Sequence, residues 1–343
     1  MLPADRLEQL LAAFPRLTIA LIGDLFLDRY LELEPGTHEL SIETGLEAYQ
    51  ITRVRNSPGA LGTVLNNLAA LGVGLLVPIT VVGDDGHGYD LLRELKRLPV
   101  DPSHVVRDAK RLTPTYTKPL RRDAHGQLVE LNRLDVRDRK ALADATTAAV
   151  GERLATALTS ADGLIVLDQI NETDWGVVNS AIRARLVELA STHREKVIFV
   201  DSRTHLGSFE AGSLKGNRRE VTAAAGLADD DSQAPLAARR LADRTGRTAY
   251  CTCGERGIWV ARPGAAPTLV PGCPVTGPID IVGAGDSATA GIVASLLAGA
   301  SPEEAAAVGN LVASITVQQL GTTGTASPAQ VRERWLQISG ARR

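Results

Sequence analysis

Aromatic residues are scarce in this sequence: three tryptophans, five tyrosines and four phenylalanines among 343 residues, or 3%. The core must therefore be built from alanine, valine, leucine and isoleucine. Cysteine is nearly absent too, and the odd count of three does not suit a disulfide framework. Cys251 and Cys253 stand two apart in an apolar run, which puts both on one face of a strand as small core residues. A reduced, cytoplasmic setting is the simplest reading. An excess of one charge is lacking: 37 basic against 40 acidic residues give a net charge of −3 and no general reason to expect a nucleic-acid partner. No apolar run approaches the ~18 residues of a membrane helix. The longest, Val73 to Gly83, is short and broken by Pro78. The N-terminal MLPADRLEQLLAAFPR has charges within its apolar pattern and no small-residue cleavage site; it reads as an amphipathic helix ending near Pro15, not a secretory signal. The six histidines are scattered without ligand spacing. None of the six lysines follows a glycine, so there is no GxxxxGK[ST] loop, and G-x-G-x-x-G, G-x-S-x-G and HExxH are missing as well.

What is present is an alternation. Short apolar runs at Thr18–Gly23, Leu75–Val82, Leu164–Asp168, Val197–Asp201 and Thr248–Thr252 are separated by longer helical patterns. Near-continuous apolar strands between helices indicate a parallel sheet covered on both faces, an α/β fold whose length allows one large domain or two small ones. Glycine or aspartate closes several runs: Gly23-Asp24, Gly83-Asp84-Asp85, Asp168 and Asp201. The carboxyl ends of the strands form the ligand crevice in such sheets. Segments 29–57 and 113–134 break the alternation. Their polar and apolar residues alternate, with turns at Pro35-Gly36 and Asp123–Gly126, so they read as a small sheet beside the main one or, alternatively, as two long surface loops. Near the C-terminus, Ser301-Pro302-Glu303-Glu304 has the pattern of a capping box, opening a helix that runs to about Leu320.

The most informative stretch is Gly283-Ala284-Gly285-Asp286, followed by small and aliphatic residues to Ala298. Glycine permits a tight turn and close approach of a ligand. The first N–H groups of a helix lack internal partners, and its dipole favours negative charge there, so the turn suits a phosphate. An aspartate in that turn can take a proton from an incoming hydroxyl, and phosphoryl transfer needs little beyond such positioning and charge stabilisation. The plainer alternative is that Asp286 caps the helix.

Seven motifs in order then resemble the ribokinase/PfkB family of carbohydrate kinases, nearest to the heptose-phosphate kinases of ADP-heptose synthesis. They are Gly23-Asp24-Leu-Phe-Leu-Asp28-Arg-Tyr30, Pro58-Gly59-Ala-Leu-Gly62-Thr63 with Asn67 and Gly72 behind it, Val82-Gly83-Asp84-Asp85 with Gly88, Asn217-Arg-Arg-Glu220, Thr252-Cys-Gly254 with Gly257, Asp280 to Asp286, and Gly321 to Pro328. The likeness covers roughly residues 17–330. It implies a single domain over 1–343 with a three-layer α/β/α ribokinase-like fold, a mostly parallel sheet and a small β lid made by about 29–57 and 113–134. It implies that Asp286 is the general base and that the N–H groups of Gly283, Ala284 and Gly285 form the anion hole. Asp28, Gly59, Thr63 and Asn67 would lie on the sugar side. Asn217, Glu220, Thr252, Gly254, Gly257 and Asn310 would lie on the ATP side, with Glu220 and Asn217 organising Mg²⁺ through water. Asp280, with carbonyls near Val282 and over 321–326, resembles a site for a monovalent cation such as K⁺. The partners implied are a small sugar or sugar phosphate and a second copy through the lid, with neither nucleic acid nor membrane. Plainer roles stay open for some residues: Asn217 and Glu220 fit a capping box, Asp28 a pair with Arg29 or Arg53, and Asn310 an internal tether.

The chain also departs from the pattern. Ala60 and Thr63 stand where that family carries glycine and asparagine, Leu214-Lys215-Gly216 replaces the usual Thr-Pro before Asn217, and Arg203 replaces a common lysine. Threonine cannot make the paired contacts of an amide. The phosphate turn is intact while the sugar side is altered. This favours an ATP-dependent sugar or sugar-phosphate kinase, with a nucleoside or other small alcohol as the alternative acceptor and a non-catalytic binding regulator as the other alternative.

Overall fold

The apolar runs pair because each is too short and too continuous to leave either face in water. The computed structural model describes residues 2–33, 39–123, 125–321 and 323–340. Among these residues the main sheet has nine strands. Their order is Thr268–Pro271, Gly257–Ala261, Ala249–Thr252, Ser213–Asn217, Val197–Ser202, Gly163–Asp168, Thr18–Gly23, Leu75–Gly83 and Val105–Asp108. From Ala249–Thr252 onward all neighbours are parallel, while the first two strands run antiparallel at the edge. Side chains alternate across the sheet: Ile19 and Leu21 enter one apolar cluster, Ala20 and Ile22 the other. Helices Ala4–Ala13, Leu61–Ala70, Gly86–Leu95, Ala284–Leu297 and Pro302–Thr316 close the first cluster. Helices Asp144–Ser160, Ser180–Thr192, Arg218–Ala224 and Ala234–Thr245 close the second, giving three layers.

The chain leaves the main sheet at Gly23 and, one residue later, enters a second sheet at Leu25. This sheet has the order Leu134–Val136, Thr115–Arg122, Leu25–Leu33, Ile51–Ala60, with Leu128–Glu130 also paired to Thr115–Arg122. Among the described residues, 29–57 and 113–134 thus contribute strands to this sheet, with a separate two-stranded ladder of Glu39–Leu40 and Glu47–Ala48. The Pro35-Gly36 turn lies outside the described residues, as does Ala124. At the other turn Asp123 Oδ1 accepts the N–H groups of His125 and Gln127.

The Ser301/Glu304 capping box forms as expected, but its helix ends at Thr316, short of Leu320. The Val317 carbonyl accepts the Asp280 N–H instead of continuing the helix, and the Gln318 and Gln319 N–H groups fold back on Ile315 and Thr316. Among the described residues, no helix is long and apolar enough to cross a membrane.

Candidate active site

Gly283 enters the Ala284–Leu297 helix at φ 80°, a left-handed conformation that a side chain disfavours. Thr63 and Thr323 crowd the same atom: an added Cβ would lie 3.5 Å from Thr63 Cγ2 and 3.3 Å from Thr323 Cγ2. Helix Leu61–Ala70 is therefore packed directly on the Gly283 turn. No side chain caps this helix. The Asp286 carboxylate has neither a hydrogen bond nor an ion pair among the described residues, so the capping alternative does not hold. Of the three N–H groups expected to form an anion hole, that of Ala284 is engaged, donating to the Ile281 carbonyl at 3.2 Å. This is a correction: the turn closes on itself at Ala284. The N–H groups of Gly283, Gly285 and Asp286 have no partner among the described residues.

Asp286 sits in a cluster of charges. Burial pushes its carboxyl up to about 7, reinforced by Asp201 and Glu220 and opposed by Lys215 and Arg203. Glu220 is raised for the same first reason. Lys215 is buried, with Nζ 2.7 Å from Asp201 Oδ2 and 3.2 Å from the Gly285 carbonyl oxygen. Thr289 donates to the same Asp201 oxygen at 2.8 Å.

The sugar-side residues gather at the start of the second sheet. Asp28 lies opposite Ser57 in register, and Gly59 is needed there for space: a Cβ would come within 2.4 Å of Asp28 Oδ2. Asp28 pairs with Lys118 at 3.4 Å, and not with Arg29 or Arg53, which pair with Asp90 and Glu32. Burial raises the Asp28 carboxyl, and Lys118 and Arg133 oppose that rise. Lys118 also lies 4.8 Å from the Tyr30 ring centre, and Arg133 lies 4.3 Å from that of Tyr116. Thr63 is buried against Gly283. Asn67 is fully buried and donates to the Thr63 carbonyl at 2.9 Å, so it does not reach the pocket surface.

On the other flank, Asn217 and Glu220 form the reciprocal capping box: Asn217 Oδ1 accepts from the Glu220 N–H at 3.0 Å, and Glu220 Oε2 from the Asn217 N–H at 2.7 Å. The plainer role is thus realised, and it fixes Glu220 beside the Asp286 cluster. Thr252 lies in register with Asn217. Asn217, Thr252 and Gly254, with Arg218 and Arg256, line a cavity of about 250 Å³. Gly257 begins the next strand under the Val270 carbonyl. Asn310 is a tether, donating to the Val270 and Pro271 carbonyls at 3.2 and 3.0 Å. A larger, apolar cavity of about 310 Å³ lies beside it, lined by Val270, Pro271, Leu311 and Trp335 among others; its lining includes none of the residues around Asp286. Asp280 Oδ1 accepts from Val282 N–H and Oδ2 from Gly321 N–H. Thr322 lies outside the described residues.

Sequence reasoning did not assign Lys215, Lys118 or Arg133 to the site. Lys215 carried a signal, a lysine inside a short apolar strand two residues before Asn217. Lys118 is a surface-like cation whose partner Asp28 lies far away in sequence, and Arg133 is held from two residues away by a bidentate pair with Asp135 at 2.7 and 2.8 Å.

Residues 32–330 match the model of the pfkB family of carbohydrate kinases. The bifunctional protein HldE of Pelobacter propionicus is 31% identical over 313 residues, covering 90% of this chain and 61% of that protein. HldE of Azorhizobium caulinodans is 31% identical over 307 residues, 89% of this chain and 61% of its own. The chain thus spans about three fifths of the length of these curated relatives. Among solved structures, Escherichia coli phosphofructokinase-2 in complex with substrates and products superposes with a TM-score of 0.68 at 18% identity, covering 94% of this chain and 99% of that one. Arabidopsis thaliana ribokinase complexed with ribose and ATP gives 0.65 at 16% identity, with 93% and 98% coverage. Both share the fold.

Proposed function

Because the chain belongs to the pfkB family of carbohydrate kinases, we propose that it transfers the γ-phosphoryl group of ATP to a hydroxyl of a sugar or sugar phosphate, with Asp286 as general base. The observation that carries this reading is the unpartnered Asp286 carboxylate in a helix-initial turn, with the Asp28 side on one flank and the Asn217–Thr252–Gly254 cavity on the other. The acceptor hydroxyl gives its proton to Asp286, its oxygen attacks the γ-phosphorus, and the bond to the β-phosphate oxygen breaks. Charge on the transferring oxygens is met by the N–H groups at Gly283 and Gly285 and by the helix dipole. A base with a pKa near the working pH is suited to this step.

Asp28 accepts from acceptor hydroxyls. Arg203 and Lys118 favour an acceptor that already carries a phosphate, since an arginine fork matches phosphate geometry, whereas the Arg133 fork is taken by Asp135. ATP lies with its phosphates over the 250 Å³ cavity. Among the described residues, no group of three or more His, Cys, Asp or Glu could hold a metal ion. The donor set therefore fits Mg²⁺ held by nucleotide phosphates and water, with Glu220 and Asn217 ordering the waters; the ion would neutralise charge on the phosphates. Both Asp280 oxygens are engaged by N–H groups, so K⁺ there would rest on carbonyls. The second sheet acts as the lid that excludes water. Its exposed Val54 and Leu134, with Leu40, Ile42 and Leu46 in the segment between its strands Leu25–Leu33 and Ile51–Ala60, make this side the face for a second copy.

The test is ADP release from Mg·ATP with a panel of ribose, fructose 6-phosphate, a heptose phosphate and several nucleosides. Turnover of a sugar phosphate supports the reading. Turnover of nucleosides alone moves the acceptor class, and nucleotide binding without any turnover points to a binding regulator.

A further inference from the structure

The buried lysine that the proposed chemistry does not use stands closest to it. We infer that Lys215 is a positioning residue: its ammonium group fastens the first turn of the Ala284–Leu297 helix to the sheet, and so sets where Asp286 and the Gly283 and Gly285 N–H groups stand. This rests on the reading of Asp286 as base given above.

The geometry is a two-point clamp. Lys215 lies on strand Ser213–Asn217, and Asp201 on the parallel strand Val197–Ser202, with Lys215 in register with Asp201. Lys215 Nζ reaches Asp201 Oδ2 at 2.7 Å and the Gly285 carbonyl at 3.2 Å. Asp201 Oδ2 also accepts from Thr289 Oγ1 at 2.8 Å. Gly285 and Thr289 are four residues apart, one turn along the helix face that looks at the sheet. One ion pair thus holds two successive turns. The residue held by the ammonium group immediately precedes Asp286. The fit at that point is tight, because a Cβ on Gly285 would lie 3.2 Å from Nζ.

Burial argues against a direct role on a phosphate: Lys215 is 3% exposed, and two of its three N–H donors are taken by Asp201 and Gly285. A bare packing role is a poor explanation as well. An ammonium group is costly to bury, and an apolar side chain of similar volume often serves at least as well for stability. What the charge adds is a fixed bond to a carbonyl that no apolar side chain makes. Lys215 also faces Asp286 and Glu220.

The experiment compares wild type with Lys215→Met and Lys215→Arg, using whichever of ribose, fructose 6-phosphate or a heptose phosphate is turned over fastest. In Lys215→Met, kcat falls about 10–100-fold, the scale of a displaced catalytic group, while KM for Mg·ATP stays within about twofold. Lys215→Arg, which keeps the charge and the donors, retains more activity than Lys215→Met. Hydrogen exchange at Ser287, whose N–H closes the first helical bond on Gly283, speeds up in Lys215→Met. Wild-type kcat, or a loss confined to KM, overturns the inference. Should Lys215→Met fail to fold, the double variant Asp201→Asn/Lys215→Met orphans no charge and must show the same kcat loss; wild-type kcat in it overturns the inference. Asp286→Asn separates the two claims. If it keeps its turnover the base assignment falls, whereas an inactive Asp286→Asn beside an unaltered Lys215→Met removes only the clamp.

Discussion

The two sides of the candidate site are built by opposite means. The phosphate side is made of the smallest residues in the chain, Gly283 to Gly285, and its shape comes from backbone. The charges beneath it are enclosed, with Asp201 and Lys215 almost wholly buried. The acceptor side is made of long side chains on a second sheet. Asp28, Lys118, Arg133, Tyr30 and Tyr116 meet there across strands, with aliphatic stems and rings supporting charged ends. A backbone site is fixed by the fold and leaves little to vary. A site of long side chains can be retuned by single substitutions without touching the chemistry. Of the departures from the family pattern, Ala60 falls on the acceptor side, Arg203 acts on both Asp286 and Tyr116, and Thr63 and Lys215 pack against the Gly283–Gly285 turn, so the departures are not confined to one side.

The sharpest way to break the comparison is Asp286→Asn. It removes the base and is expected to cost about 10²–10⁴-fold in kcat, with KM for the acceptor nearly unchanged and a native melting curve. A loss that appears chiefly in the acceptor KM would mean that the two sides are not separable.

Asp28→Asn probes the other side. It keeps the shape of the side chain but loses the charge facing Lys118, so one buried charge-assisted contact is lost, worth roughly 1–3 kcal/mol. The expected result is an acceptor KM raised about 10–100-fold with kcat within a few-fold of wild type. Initial-rate kinetics over a range of acceptor concentrations checks it, and a collapse of kcat instead would place Asp28 in the chemical step.

The third effect is on pH. Asp286 is held up to about 7, above the ordinary range of an aspartate. Its basic form is thus lost as pH falls through about 7, and kcat should drop about tenfold per unit below that point. Above it the basic form is complete and kcat is flat with respect to this group. The limb belongs to the phosphate side, so it should persist unchanged in Asp28→Asn. A kcat that is flat from pH 5 to 8 with chemistry rate-limiting rules out Asp286 as the titrating base.

The same division decides what could be read in advance. The central strands, the helix-initial phosphate turn and the Ser301 capping box were legible because local chemistry dictates them: apolar continuity, glycine conformations and cap spacing. Strands Ser213–Asn217 and Val105–Asp108 were not, since each is short and carries charged residues that only its neighbours in the sheet make tolerable. Asn217 and Glu220 looked like both a cap and a ligand pair, and the spacing fits either. Although Lys215 itself stood out as a lysine in a short apolar strand, the pairings of Lys118 with Asp28 and of Lys215 with Asp201 had no local signal. They join residues 90 and 14 apart, and charge pairing at such separations follows from topology, not from period.

The smallest effect tests whether the acceptor side holds strain. Ala60 joins the second sheet to helix Leu61–Ala70 at φ 53° and ψ −113°, a region that residues other than glycine rarely occupy. Such a conformation costs about 1–3 kcal/mol. Glycine relieves it, but adds about 0.4–1 kcal/mol of unfolded-state entropy to be lost on folding. Ala60→Gly is therefore expected to stabilise the fold by about 1 kcal/mol in urea unfolding, where an alanine-to-glycine change at an ordinary helix position does the reverse. The substitution lies next to Gly59, whose missing Cβ makes room for Asp28, so the acceptor KM reports whether the strain is also functional. A more stable variant with an unchanged KM means that the alanine is merely tolerated. A more stable variant with a raised KM means that the strained turn holds Asp28 ready for the acceptor, and the two sides then differ in one more respect: the phosphate turn reaches its left-handed entry through a glycine, and the acceptor turn through a residue that resists it.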